Sequence, residues 1–266
     1  MTKKDSFAGG STTERILARL AKGDWVSGEE LADEFGISRA AIAKHMGKLR
    51  RDGNVIRSRT HKGYMLEAPI ERLCRDSVFP LLRTSTLGRT EWRELESAPS
   101  TNTEAISWAL GGGPVGGVVT AYEQTQGKGR RGHTWFSSPR GIHFSAILPP
   151  FRKAAECARV NMAALQAVRQ AIITAAGVEA VIKKPNDLLL NGKKICGILV
   201  ESGLRGGETD WLVVGIGCNV NVLPEEFPAD IGARVTSILA ETGTVASTSL
   251  LAAEALNYLE EQLDLG

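Results

Sequence analysis

The sequence predicts an α+β protein, with an N-terminal winged helix-turn-helix followed by a mixed β-sheet domain flanked by helices. Three observations carry that reading. Charge changes sign abruptly within the first 66 residues, across two short helices with capping signals. Two short strands joined by a glycine turn close that section. From about residue 90 the texture alternates strand and helix, and the strands run into glycine-rich loops. The implied boundaries are 1–66 for the first domain, 67–85 for a linker and 86–266 for the second.

The first domain is built from its caps. "TERILARLAKG" places Ile16, Leu17 and Leu20 on one helical face, with Thr13 as N-cap and Gly23 as stop. In "SGEELADEFG", Ser27 and Glu30 stand at capping-box spacing, Leu31 and Phe35 form the apolar face, and Gly36 ends the helix. Ser38 caps the next helix, "ISRAAIAKHMGKLRRDG", which buries Ile42, Met46 and Leu49. A tight turn at Gly36 between two short helices is the helix-turn-helix arrangement. "VIRSRTHKGYML" then reads as a two-stranded wing turning near His61, Lys62 and Gly63.

Charge gives this unit two sides. Residues 24–34 carry five acids and no base, whereas residues 39–62 carry eight bases against Asp52 alone. The cations fall on the second helix and the wing, the elements that a winged helix sets into the major groove and along the backbone. Ser38, Arg39, Lys44, His45 and Lys48 on the helix, with Arg57 and Arg59 in the wing, are the candidate DNA contacts. The competing reading is a small helical domain whose charges form a solvated face.

Composition excludes several classes. Hydrophobic residues are 42% and charged residues 23%, ordinary for a globular chain, and net charge is only +2. No apolar run reaches the roughly 18 residues of a membrane span, and no signal-peptide core follows "MTKKDSFAGGST". Cys74, Cys157, Cys196 and Cys218 form no Cys-x-x-Cys pair. Free thiols in a cytoplasmic protein are expected, with no protein-held metal. There is no internal repeat.

The second domain opens its chemistry at "AYEQTQGKGRRGHTWFSSPRG", where Gly127, Gly129 and Gly132 alternate with Lys128, Arg130 and Arg131. The glycines formally match G-x-G-x-x-G, but a dinucleotide site needs a helix at once and an acid about twenty residues on. "IHFSAIL" is instead another strand, and position 152 is Arg. No Gly-Lys-Ser/Thr ends the motif, so a Walker A loop fails too. What remains is a β-loop-β whose glycines admit a ligand closely and whose cations suit phosphate or carboxylate. The bland alternative is a flexible surface loop.

A second dense stretch is "VIKKPNDLLLNGKKICGILVES". Pro185 holds Lys184 extended, so a strand runs through Val181–Lys184, and alternation with Ile182 turns Lys183 to the opposite face. Asn186 and Asp187 make a turn, and Asn191-Gly192 signals a hairpin. The strand "DWLVVGIGCNVNV" carries Gly215 and Gly217 near its end, where backbone can approach a ligand.

These motifs, with "SRAAIAKH" and "STN" at 100–102, are together similar to the bifunctional biotin protein ligases and biotin operon repressors, over roughly residues 12–240. The resemblance implies a class II synthetase-like ligase fold. It also implies condensation of biotin with ATP, accompanied by Mg²⁺, to biotinyl-5′-AMP. The biotinyl group then passes to one lysine of a carboxylase's biotin carboxyl carrier domain. Ser100, Thr101, Asn102 and Gln124 would line the biotin site. Gly127, Lys128, Gly129, Arg130, Arg131 and Trp135 would form its lid, with Gly197 beside it and Asn219 on the nucleotide side. Lys183 would bridge the biotin carboxylate and the α-phosphate, and Arg130 would assist. Operator DNA and a second copy of the chain, bound in the adenylate form, are the implied partners, with no membrane.

Three departures stand out. Lys128 and His133 replace the family's usual arginines, and Lys184 its usual tryptophan. Lys does not reproduce a bidentate Arg contact. Family members also ordinarily continue into a small β-barrel domain beyond a helix such as "LLAAEALNYLEEQLDLG". Two alternatives therefore stay open, a biotin-sensing repressor without ligase activity and a lipoate- or octanoate-handling relative on the same fold.

Overall fold

The computed structural model describes residues 11–20, 25–51, 54–68, 71–150, 156–205 and 208–265. The chain divides into two compact units, Met1–Ile70 and Glu71–Gly266. Among the described residues no helix is long and apolar enough to cross a membrane.

The first unit contains α1 (Thr12–Leu20), α2 (Gly28–Phe35) and α3 (Arg39–Arg51), then the hairpin β1 (Val55–Arg59) and β2 (Gly63–Ala68). The capping box of α2 forms as read: Ser27 Oγ accepts from Glu30 N–H at 3.0 Å, and the Glu30 carboxylate accepts from Ser27 N–H at 2.8 Å. Gly36 ends α2 at φ 63°, and Ser38 Oγ accepts from Ala41 N–H at the head of α3. Ile16, Leu20, Leu31, Ile42, Met46 and Leu49 bury together with Ile56 and Leu66 of the wing. The wing is tied back by paired backbone bonds between Val26 and Tyr64, each 2.8 Å. A Cβ on Gly63 would overlap the Val26 carbonyl, so this closure requires glycine. One cap differs from expectation. Thr13 lies inside α1 and is buried, while Ser11 O accepts the first helical bond from Arg15. The stop expected at Gly23 lies outside the described residues.

The second unit is a seven-stranded mixed sheet. Its strands are β3 (Trp92–Ala98), β4 (Val118–Gln124), β5 (Ile142–Leu148), β6 (Val181–Lys183), β7 (Asp187–Leu190), β8 (Lys193–Arg205) and β9 (Glu208–Cys218). They lie in the order β3-β4-β5-β9-β8-β7-β6, with β3 and β4 parallel and the other neighbours antiparallel. Asn191 and Gly192 take φ 50° and 80°, the two left-handed positions that the β7–β8 hairpin turn needs.

Strand alternation gives the sheet two faces with different work. Even-numbered residues of β5 and β9, among them Phe144, Leu148, Leu212 and Ile216, bury against α6 (Glu156–Ala176) and α8 (Thr248–Leu263). The odd-numbered Ile147 and Val213 pack with Trp108 of α5 (Thr101–Leu110) on the other face. That face also carries His143, Ser145, Gly215 and Gly217, so α5 covers one end of it and leaves the other for a ligand.

Residues 71–85, read as part of a linker, are built into this unit. Val78 and Leu82 join its core, and Arg83 pairs with the Glu254 carboxylate through two bonds of 2.6 and 2.8 Å. The Glu71 carboxylate accepts from Thr248 N–H at the head of α8. The partners that hold the segment lie some 170 residues away in the chain. The final helix, α8, forms where it was read.

Candidate functional site

Strand register aligns a single row across the sheet. Lys183 of β6 faces Asp187 of β7, Asp187 faces Gly197 of β8, Gly197 faces Gly217 of β9, and Gly217 faces His143 of β5. Directly opposed residues point to the same face. The row is therefore a strip with a cation and a carboxylate at one end, two bare glycines in the middle and an imidazole at the other end.

Trp135 lies on the glycines. A Cβ on Gly217 would come within 2.6 Å of the indole Cε2, and one on Gly197 within 3.0 Å of Cζ3. The indole N–H donates to His143 Nδ1 at 3.3 Å, and His143 Nε2–H donates to the Ser138 carbonyl at 3.0 Å. Burial pushes the His143 pKa down to about 4, against the Ser138 bond that raises it, so the ring is neutral. Lys194 stands beside Gly197, its Nζ 5.4 Å from the ring centre and 2.7 Å from Asp187 Oδ1.

The next row is Leu199, Gly215 and Ser145. Asn102 fills the space above Gly215, where any Cβ would overlap its amide oxygen. Its Nδ2 donates to Leu199 O at 3.2 Å and Glu201 Oε2 at 2.8 Å, and Ser145 Oγ donates to its Oδ1 at 2.6 Å. Gln124 Oε1 accepts from Thr101 N–H, while its Nε2 donates to Ser137 Oγ, each at 2.8 Å. Ser100 precedes α5, is 3% exposed and makes no side-chain capping bond.

The glycine-cation loop is a small hairpin. Gly129 N–H donates to His133 O and Trp135 N–H donates to Gly127 O, both at 2.7 Å. Arg131 and Gly132 turn it at φ 55° and 79°. β5 follows rather than a helix, in keeping with the exclusion of a dinucleotide fold. Among the described residues Lys128, Arg130 and Arg131 form no ion pair, and all three are exposed.

Together these elements enclose a cavity of about 190 Å³. Of the residues singled out in the sequence, Ser100, Thr101, Asn102, Gln124, Lys128, Gly129, Arg130, Trp135 and Gly197 line it. Gly127 stands behind Trp135, with which it pairs. Three positions depart from expectation. Lys183 is exposed and outside the lining, because β6 is the edge strand, one place beyond Asp187 in the row. Arg131 points to a groove on the outer side of the loop. Asn219 is 3% exposed and turned inward: β9 has ended, and its Nδ2 donates to Thr236 O at 3.0 Å. Gly215 and Gly217, read as points of close backbone approach, line the cavity too, and the structure adds Asn186, Asp187, Lys194 and Leu199. Asp187, expected in a turn, opens β7, and a bulge between Leu188 and Leu189 separates its pairing with Gly197 from that of Leu189 with Lys194.

The first unit presents a second candidate surface. Ser38, Arg39, Lys44 and Lys48 are exposed on α3, and Arg57 and Arg59 on the wing. Arg39, Ala40 and Ala43 border a groove of about 850 Å³ with Ser58, Arg59 and His61 of the wing. His45 is not on this surface: it is half-buried, with Nδ1 2.9 Å from Thr13 Oγ1 of α1, about 100° around the helix from Lys44's exposed side.

A winged helix-turn-helix and a mixed sheet with a cation-rimmed cavity define a class, DNA-binding units joined in one chain to a ligase-type domain. Residues 12–65 match the model of an HTH domain, and residues 94–219 match the Biotin/lipoate A/B protein ligase family. The bifunctional ligase/repressor BirA of Bacillus subtilis is 34% identical over 238 residues, covering 88% of this chain and 73% of that protein. BirA of Escherichia coli is 30% identical over 256 residues, covering 94% and 76%. Among solved structures, the biotin protein ligase from Aquifex aeolicus in complex with biotin and ATP matches with a TM-score of 0.56 at 28% identity, over 68% of this chain and 71% of that one. The chain belongs to the biotin protein ligase family, with the N-terminal DNA-binding unit of its bifunctional members.

Proposed function

We propose that the protein is an ATP-dependent biotin protein ligase that also acts as a biotin-responsive transcriptional repressor. The observation that carries the reading is the strip beneath Trp135. The indole spread over the two glycines gives the cavity a flat wall that suits a compact ring system, and the cations Lys128, Arg130 and Lys194 line the same cavity. Two anions must meet there. A carboxylate oxygen of biotin attacks the α-phosphorus of ATP, pyrophosphate leaves, and a mixed anhydride forms. Fixed cations offset the repulsion of the two anions and the charge that grows during transfer. The amine of a carrier-domain lysine then attacks the acyl carbon, loses its proton and releases AMP.

Lys183 shares the face of Asp187 one strand out, within reach of the cavity mouth for a side chain of its length, and we assign it to the anions when substrate is bound. Ser100, Thr101, Asn102 and Gln124 are assigned to the ureido ring of biotin, and Arg130 and Lys128 to phosphate. Mg²⁺ in this reading arrives on the ATP phosphates. Among the described residues no group of three or more His, Cys, Asp or Glu side chains forms a cage for it. Arg39, Lys44 and Lys48 with Arg59 are assigned to operator DNA, and a dimer of the adenylate-bound chain would bring two winged units to two half-sites.

The test is incubation with ATP, biotin and a biotin carboxyl carrier domain, followed by mass measurement of the carrier. Transfer of one biotinyl group supports the reading. Adenylate without transfer would make the chain a ligand-sensing repressor, and lipoyl transfer in place of biotinyl would move it to the lipoate branch.

A further inference from the structure

We infer that His143 is a positioning residue for ligand binding, acting through Trp135. It lies outside the cavity lining and is 3% exposed. It is the register partner of Gly217, and the indole of Trp135 spreads over Gly217 and Gly197. The two glycines present no side chain of their own to the ring, and Lys194, whose Cε and Nζ lie beside Gly197, is its charged neighbour. The attraction of Lys194 acts on the ring's π system and not on its N–H. The indole N–H bond to His143 Nδ1 is the directional contact that sets the angle. His143 is itself held by Nε2–H donation to the Ser138 carbonyl, which fixes the tautomer with Nδ1 as acceptor. The chain of contacts thus runs from the Ser138 backbone through imidazole to indole, and the indole forms one wall of the cavity.

Naming biotin as the ligand rests on the proposed function, whereas the relation between His143 and Trp135 does not. Two amide substitutions separate positioning from mere support. His143→Asn places an amide oxygen where Nδ1 stood, keeping the acceptor for Trp135 and losing the donor to Ser138. His143→Gln reaches the position of Nε2, keeping the donor and losing the acceptor.

Biotin-dependent adenylation should show KM for biotin raised about fivefold in His143→Gln, the scale of one lost hydrogen bond, with kcat little changed. His143→Asn should stay near wild type. In a Trp135→Phe background the two substitutions should no longer differ, because the group through which His143 acts has lost its N–H. Independently of any substrate, the Trp135 contribution to fluorescence, taken as each protein minus its Trp135→Phe form, should shift in His143→Gln and not in His143→Asn. The inference is overturned if His143→Asn is impaired as much as His143→Gln, or if their difference survives in the Trp135→Phe background. A wild-type protein with no biotin-dependent adenylation would sink the proposed function and leave the fluorescence comparison to decide this inference.

Discussion

Lys183 and Asp187 face each other as register partners at the edge of the sheet, at the charged end of the row that runs through Gly197 and Gly217 to His143. Lys183 is exposed, and no ion pair with Asp187 forms; Asp187 pairs with Lys194 instead. Its cation is therefore available to an arriving anion. Lys183→Ala is expected to slow biotinyl-adenylate formation by at least ~10²-fold, the scale of losing one preorganised electrostatic contact. Single-turnover adenylation kinetics give the value, and a near wild-type rate would remove Lys183 from the chemistry.

The glycine floor makes a steric prediction. A methyl on Gly217 would stand 2.6 Å from the indole, so Gly217→Ala must lift Trp135 or bend the strand. Overpacking of this kind costs about 1–3 kcal/mol. Calorimetric titration should show biotin affinity falling at least ~10-fold if most of that cost appears on binding. An unchanged affinity would mean that Trp135 does not rest on the floor in the ligand-bound state.

On the DNA side the exposed cations should divide from His45. Lys44→Ala and Arg59→Ala should each weaken operator binding and, as phosphate contacts, flatten the salt slope by about one unit. His45→Ala should leave operator affinity alone and lower the stability of the first unit by about 1 kcal/mol, through loss of the Thr13 bond. Fluorescence anisotropy over a salt series and thermal unfolding would read both. A large loss of DNA affinity in His45→Ala would return that residue to the interface.

Glu260 makes a pH prediction. Burial acts to raise its pKa, but backbone N–H groups of Leu87, Ser85 and Thr86 and the Ser85 hydroxyl outweigh it and hold the carboxyl below the ordinary 4.5. A depressed folded-state pKa contributes stability above the unfolded value, and that stability is lost as pH falls through the folded value. Glu260→Gln should therefore lower stability by about 2 kcal/mol near neutral pH, with the gap to wild type closing as pH drops below about 4. A gap that stays constant with pH would mean that the charge of Glu260 contributes nothing.

Local signals carried much of this molecule. The capping box at Ser27 and Glu30, the wing turn at His61–Gly63 and the Asn191-Gly192 hairpin each depend on residues a few places apart, and each was legible. Ser100, Asn102, Gln124, Lys128 and Trp135, singled out by their motifs, line the cavity. Pairing between distant strands was not legible. Nothing near His143 in the chain says that Gly217, over 70 residues away, will face it, or that Gly215 will lie under Asn102. The setting of Asn219, which the resemblance puts on the nucleotide side, was hidden for the same reason: the strand ends at Cys218 and the side chain donates to Thr236 O. Residues 71–85 looked like a connector because the groups that hold them sit on α8.

The central claim is that the cavity over Gly197 and Gly217 joins biotin to AMP. Biotin-dependent exchange of labelled pyrophosphate into ATP, measured on the isolated chain, tests it without any carrier or DNA. The account predicts exchange that requires biotin, is abolished with Lys183→Ala and is not restored by lipoate. Exchange equally fast without biotin, or none at saturating biotin and ATP, would contradict it.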